Sequence, residues 1–359
     1  MKHEPLKTLL LILDAMLTPK QIDFLREELK TAKNPLFIHD DDADGLCAFQ
    51  LLYRIHREGK GIPLKTASTL DVRLLRKVQE VNPDKIFVLD VPIIDQEFID
   101  KANVPIFWID HHPPLQRNKV HYFNPLLTDP KSYVPTTRMA WQVSQNPDDL
   151  WIAMAGCLAD YSLPDFRDEF AAKYPELVPD IAADLPTLIF KSPLTKIIKF
   201  FFFIQKGPSA DVHKSLKILL RIQSPHEIFN QESSPGKFLF KRFTHINQKY
   251  EALLAQATKN VTDDHLFLFY YTEDHWSFTA NVANELTVLY PQKIIIIARK
   301  KSGEMKCSLR AQTPILGPLQ KALVGINGYG GGHPNACGAM VKEEDWERFL
   351  ENFRREVKK

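Results

Sequence analysis

The chain has 359 residues, 46 Lys and Arg against 44 Asp and Glu, and a net charge of +2, so no global field advertises nucleic acid and any such binding must come from a local patch. That length favours two domains over one, and 44% hydrophobic with 25% charged residues is the composition of an ordinary globular protein. Four scattered cysteines, Cys47, Cys157, Cys307 and Cys337, form no Cys-x-x-Cys pair, which argues against a disulfide framework or a structural zinc site and fits a reducing cytoplasm.

Residues 1–33 read as two helices, one over 6–17 from its Leu/Ile spacing and one opened by Thr18-Pro19 and running to Lys30. Lys7 and Asp14 interrupt the first, and no small-residue cleavage site follows it, so it reads as a capping helix and not a signal peptide. From 35 to about 160, apolar runs at 36–38, 85–89 and 105–109 alternate with helical periodicity at 46–56, 72–81 and 151–159. Alternation of this kind predicts a doubly wound parallel sheet with right-handed crossovers. Residues 165–255 turn helix-rich with repeated prolines, and 238–257 reads as one linking helix. Phe200 to Phe203 read as core, and the apolar run around them is too short to span a bilayer. Strands return at 266–271 and 293–298 around a helix at 280–289, and a helix at 343–356 closes the chain. The expected fold is α/β: a doubly wound parallel-sheet domain plus a smaller C-terminal α/β domain joined by a helical linker. The expected boundaries are 1–33 for N-terminal helices, 34–185 for the first domain, 186–260 for a helical insertion and 261–359 for the second domain.

Four carboxylates, Asp40, Asp41, Asp42 and Asp44, follow the apolar run at 35–38 directly. Carboxylates so close repel one another unless they take up protons or cations. At the end of a hydrophobic strand they read as a hard-metal site, and Asp40, Asp42 and Asp44 alternate so that all three can converge. Asp90 follows the run at 85–89, Asp110-His111-His112 the run at 105–109, and Asp160 the apolar segment at 152–159. Any one of these alone is more often a cap or turn residue. In a parallel sheet, however, all carboxyl ends share one edge, so the set meets in one crevice. Carboxylates and imidazoles without thiolate suit Mn²⁺ or Mg²⁺, and so many ligands suit two ions performing hydrolysis of a phosphoester or phosphoanhydride. Tyr133, Thr136, Thr137 and Arg138 fall near this set, but no spacing demands a role for them.

The second informative stretch is Gly328-Tyr329-Gly330-Gly331-Gly332-His333, which is neither a Walker loop nor a dinucleotide fingerprint. Consecutive glycines expose backbone N–H groups and read as a nest for phosphate. Arg299-Lys300-Lys301 and Lys306 offer a track for a phosphate backbone, although a charge run is more often a solvated face.

Asp-x-Asp-x-Asp-Gly at 40–45, Asp90, Asp110-His111-His112 and Asp160 together resemble the four motifs of the DHH phosphoesterase superfamily, over roughly 34–165. The first motif is similar to the RecJ type and not to the His-x-x-Pro-Asp-x-Asp form of nanoRNases and pAp phosphatases, and Asn124-Pro125 is likewise RecJ-like. Gly330 to His333 and Ser308-Leu309-Arg310 resemble the Gly-Gly-Gly-His and Ser-x-Arg elements of the DHH-associated domain. The resemblance implies that Asp40 and Asp42 ligate one ion and Asp44, His111 and Asp160 the other, with Asp90 bridging. It implies that His112 contacts the scissile phosphate or protonates the leaving oxygen, with Asp110 orienting a histidine. Arg310, Gly330, Gly331, Gly332 and His333 would hold substrate phosphate across an interdomain cleft. The implied activity is that of a Mn²⁺-dependent phosphodiesterase using two ions, with Mg²⁺ as a substitute. It would be an exonuclease degrading single-stranded DNA or RNA from one end, in the compact form of archaeal RecJ-like nucleases. The alternatives are an enzyme of short oligonucleotides, pAp or cyclic dinucleotides, and a catalytically weak scaffold with a replication or repair protein as partner. No membrane association is expected.

Overall fold

The computed structural model describes residues 16–64, 69–180, 183–272 and 276–358. The helix expected over 6–17 therefore lies almost wholly outside the described residues. The chain divides into two units, Met1–Gln205 with Ala210–Lys241 and Lys206–Ser209 with Arg242–Lys359. The helix Ser234–Lys259, longer at both ends than the expected 238–257, begins in the first unit and ends in the second. Among the described residues no helix is long and apolar enough to cross a membrane.

The first unit is built on five parallel strands, β1 (Leu36–Asp40), β2 (Lys60–Leu64), β4 (Ile86–Leu89), β6 (Ile106–Ile109) and β7 (His121–Phe123), in the order β2-β1-β4-β6-β7. A short parallel ladder, β3 (Thr69–Leu70) with β5 (Ile93–Ile94), stands beside them. Helices cover both faces, which is why the central strands are continuously apolar and not alternating. One face packs Ile38, Val88 and Trp108 against Val78 and Phe98 of the helices Leu75–Val81 and Gln96–Ala102. The other carries a ring ladder: Phe37 stacks on Phe87 at 5.3 Å, Phe87 on Phe107 at 4.9 Å and Phe107 on His121 at 5.0 Å. These rings are also register partners across β1, β4, β6 and β7. Because Asp40, Asp90 and Asp110 each stand three residues beyond a laddered Phe, the register that aligns the rings aligns the carboxylates at one edge. The chain runs from β1 to β2 on one side and returns to β4 on the other, so the crevice between β1 and β4 is the switch point where such sheets bind ligands.

One expected boundary shifts. The helix after the first motif begins at Ala43 and not at 46, because Asp42 caps it by accepting from the Gly45 amide at 2.9 Å. Gly45 is required there, since a Cβ would stand 2.8 Å from the Asp40 nitrogen. Asp160 caps the fully buried helix Leu150–Ala159, which matches the helix expected over 151–159.

A buried ion pair anchors this helical layer. Arg54 donates to Asp149 at 2.8 Å, and both side chains are at most 3% exposed. Burial lowers the Arg54 pKa and raises that of Asp149, so desolvation outweighs the attraction for both partners. Asp149→Ala, which strands the Arg54 charge, is expected to lower unfolding stability by roughly 3–5 kcal/mol. The check is a shift of the urea midpoint at unchanged slope.

The second unit holds a mixed sheet, β8 (Leu266–Thr272), β9 (Ile294–Lys301), β10 (Glu304–Arg310), β11 (Gly328–His333) and β12 (Ala336–Lys342), in the order β11-β12-β10-β9-β8. Of these strand pairs only β8 with β9 is parallel. The glycine-rich stretch is thus an edge strand and not a nest-forming loop. Cβ atoms at Gly328, Gly330 and Gly332 would come within 2.5–2.9 Å of β12, so alternate glycines let β11 lie against its neighbour. The basic run is engaged in the fold, Lys300 with Glu343 and Lys306 with Glu304.

Candidate metal centre

Among the described residues, three sets of side chains offer ligand atoms all within 4.8 Å of one another: Asp40, Asp42 and Asp90; Asp44, His111 and Asp160; and Asp90, His111 and His112. Every first-unit residue singled out in the sequence as a metal ligand is in this constellation. His111 Nε2 lies 3.3 Å from Asp90 Oδ1 and 3.7 Å from Asp160 Oδ2, which joins the first two sets through Asp90. His112, expected to face substrate, also stands within ligand range.

Asp90 sits just past β4 with φ +62, a left-handed conformation that Asp tolerates better than most residues. Its amide donates to Ile109 O at 2.9 Å, which holds this turn to β6. Asp44 lies in the first turn of the helix Ala43–His56 and is 2% exposed. Both its oxygens accept backbone amides at the start of the helix Thr136–Ser144, from Thr136 and Thr137 at 2.8 Å each. A helix N-terminus thus fixes and partly neutralises one carboxylate of the cluster.

Electrostatics set this edge apart. Burial first, and then the charges of Asp42 and Asp41, push the Asp40 carboxyl up to about 8. Burial and Asp44 push Asp42 up to about 6, against the pull of the Gly45 amide. Asp90 and Asp160 are raised as well, chiefly by burial and by neighbouring carboxylates including Asp44. Mutually destabilised oxygens converging with an imidazole, and no thiolate within the sets, fit hard divalent cations such as Mn²⁺ or Mg²⁺.

Asp110 is fully buried and accepts from the His112 amide at 3.1 Å and from its Nδ1 at 2.8 Å. Burial lowers the His112 pKa, but the hydrogen bond to Asp110 and the charges of Asp110, Asp40 and Asp42 raise it overall. The Asn124 amide nitrogen donates to His112 O at 2.8 Å and so holds the backbone after β6 in place. His39 belongs to the core: it stacks on Phe49 at 5.0 Å, and burial pushes its pKa down to about 4.

Several residues that hold the ligands carry no mark in the sequence. The Tyr133 hydroxyl is 3.0 Å from both Asp160 O and Asp160 Oδ2, and its ring meets His111 edge-on. Thr136 Oγ1 lies 3.2 Å from Asp90 Oδ1. The one available hint was Pro135 before two threonines, a helix start able to hold an anion.

In the second unit, Arg310 and His333 share one row of the sheet, each paired with Ala336, so their side chains leave the same face. Arg310 is held by Asn284 Oδ1 at 2.5 Å and by Cys337 O at 3.0 Å. In the next row Gly331 pairs with Gly338, and a Cβ at Gly331 would meet nothing within 4 Å. Beside His333 the sheet face is therefore bare backbone at Gly331 and Gly338.

The profile of the DHH family N-terminal domain matches residues 36–160, and that of the DHHA1 domain matches 265–359. No curated protein sequence matches the chain. Among solved structures, RecJ from Thermus thermophilus in complex with Mn²⁺ superposes with a TM-score of 0.68 at 17% identity, over 97% of this chain and 56% of that one. The DHH domain of a protein described as a member of a ribosomal protein family gives 0.64 at 16% identity, over 99% and 92%. An exonuclease RecJ bound to manganese gives 0.62 at 15%, over 92% of each chain. At these identities the likeness is one of fold, and the chain spans about half the length of the Thermus protein.

Proposed function

This chain belongs to the DHH family of metal-dependent phosphoesterases, and from that premise we propose that it is a Mn²⁺-dependent exonuclease that hydrolyses single-stranded DNA or RNA from one end. The observation that carries the reading is the meeting of Asp40, Asp42, Asp44, Asp90, His111 and Asp160 at one sheet edge, with the Asp110–His112 pair beside them. The RecJ-type first motif and the fold likeness to RecJ structures support a nucleic acid strand as substrate.

Asp40, Asp42 and Asp90 would hold one ion and Asp44, His111 and Asp160 the second, with Asp90 shared. Held there, divalent ions supply Lewis acidity and lower the pKa of water near the phosphate. The side chains do the rest. Asp110 accepts the Nδ1 proton of His112, so the proton that His112 gives to a leaving oxygen moves at Nε2. The Thr136 and Thr137 amides keep Asp44 fixed, and Tyr133 keeps Asp160 fixed. Arg310 offers a planar guanidinium suited to phosphate, with His333 in the same row and the bare Gly331 backbone beside that histidine.

End-labelled single-stranded DNA and RNA of graded length, incubated with Mn²⁺ and resolved on a denaturing gel, are expected to give a ladder growing from one end. Cleavage confined to dinucleotides or pAp would overturn the exonuclease reading. So would the absence of any cleavage by protein shown to have bound Mn²⁺.

A further inference from the structure

A cavity of about 320 Å³ opens beside Asp160, at the lower end of the size range of small-molecule sites. Its walls are apolar, from Tyr133, Pro135, Leu163 and Pro164, with Ser162 as a neutral polar group. The charged side chains lining it cancel: Arg138 binds Asp165 through two contacts of 2.7 and 2.8 Å, and Arg167 binds Asp168 at 3.3 Å. Such a lining offers little to a phosphate and much to a flat, neutral, hydrogen-bonding group.

Two of the large hydrophobic side chains that line it are exposed to solvent, Tyr133 at 54% and Leu163 at 42%. Exposed apolar groups concentrated beside a polar centre mark a binding surface.

We propose that this cavity seats a nucleobase, that of the nucleotide next to the scissile phosphate, with the Tyr133 ring as its stacking face. The proposal rests on the reading that the substrate is nucleic acid. Tyr133 then does two separable things. Its hydroxyl positions Asp160, and its ring binds the base. Stacking on an aromatic face accepts any base, so the site demands a base without selecting which.

The test compares single-stranded substrates carrying an intact or an abasic nucleotide at the scissile position. Wild-type protein is expected to prefer the intact one by about tenfold or more in kcat/KM, whichever base is present. Y133F keeps that preference while binding Mn²⁺ more weakly; Y133A cleaves intact and abasic substrates alike. Tyr133 is exposed, and thermal melts of both variants check their folding. A second readout needs neither metal nor turnover: saturation-transfer NMR on metal-free protein should show contact with adenosine and not with ribose, lost in Y133A. Equal cleavage of abasic and intact substrates by wild type, or no transfer to adenosine, overturns the proposal. If no nucleic acid is cleaved yet adenosine contacts the wild type and not Y133A, the exonuclease reading fails and the base site stands.

Discussion

Asp90→Asn is expected to lower kcat/KM by more than about 100-fold, the upper end of what changes merely adjacent to metal ligands cost. It should also weaken Mn²⁺ uptake at both positions and raise the melting temperature of the metal-free protein. Asp90 takes part in two of the three ligand sets and lies 3.3 Å from His111, so both ions of the proposed pair would depend on it. It is 2% exposed, and burial together with Asp44, Asp42, Asp40 and Asp160 disfavours its charge. Asparagine keeps the shape, tolerates the positive φ of this position and removes only the charge, which separates function from folding. Isothermal titration with Mn²⁺, steady-state kinetics and thermal melts at pH 8 check the three parts. Full activity in this variant would end the bridging role, and a lower metal-free melting temperature would contradict the electrostatic account.

The metal-free protein is expected to lose stability as pH rises from about 4 to about 8, and Mn²⁺ is expected to restore it. Unfolded aspartates titrate near 3.9. In the fold Asp42 is raised to about 6 and Asp40 to about 8, and Asp90 and Asp160 are raised too. Over that window the folded chain holds protons that the unfolded chain has released, so stability falls with rising pH. It levels off once the folded carboxyls are ionised. At about 1.4 kcal/mol per pKa unit the loss is on the order of several kcal/mol, trimmed because Asp40 and Asp42 keep some contact with water. Cations exchange for the retained protons, so Mn²⁺ binding above pH 6 should release protons into a weakly buffered solution. Melting temperatures across pH 4.5–8.5, with chelator and with Mn²⁺, would show converging curves at low pH and diverging ones at high pH. Parallel curves would refute the linkage.

Much of the first unit was legible because the information was local. The apolar runs ending at Ile38, Leu89 and Ile109 are buried parallel strands, and the acids just beyond them stand at one sheet edge. A tighter signal lay in the same residues: Phe37, Phe87 and Phe107 each precede an aspartate by three positions, and their rings form the ladder that sets the register. Asp160 reaches the same neighbourhood from the end of a buried helix, in keeping with the helical periodicity over 151–159, and not from a strand end. In sequence the glycine-rich strand reads as a nest for phosphate, because consecutive glycines suggest exposed backbone amides. Only the close approach of β12 shows why alternate glycines are needed there.

Period and spacing along the chain determined the α/β class, the alternation that makes the first sheet parallel, and the acids and histidines that can meet at its edge. Those are properties of a few residues at a time. Tertiary structure alone decided how the ligands are held: Thr136 and Thr137 grip Asp44 across more than ninety positions, Tyr133 reaches Asp160 across 27, and Arg138 pairs with Asp165 in the wall of the cavity. No local pattern encodes such pairs, because what joins them is the path of the chain between them, and that path is set by the packing of the whole unit.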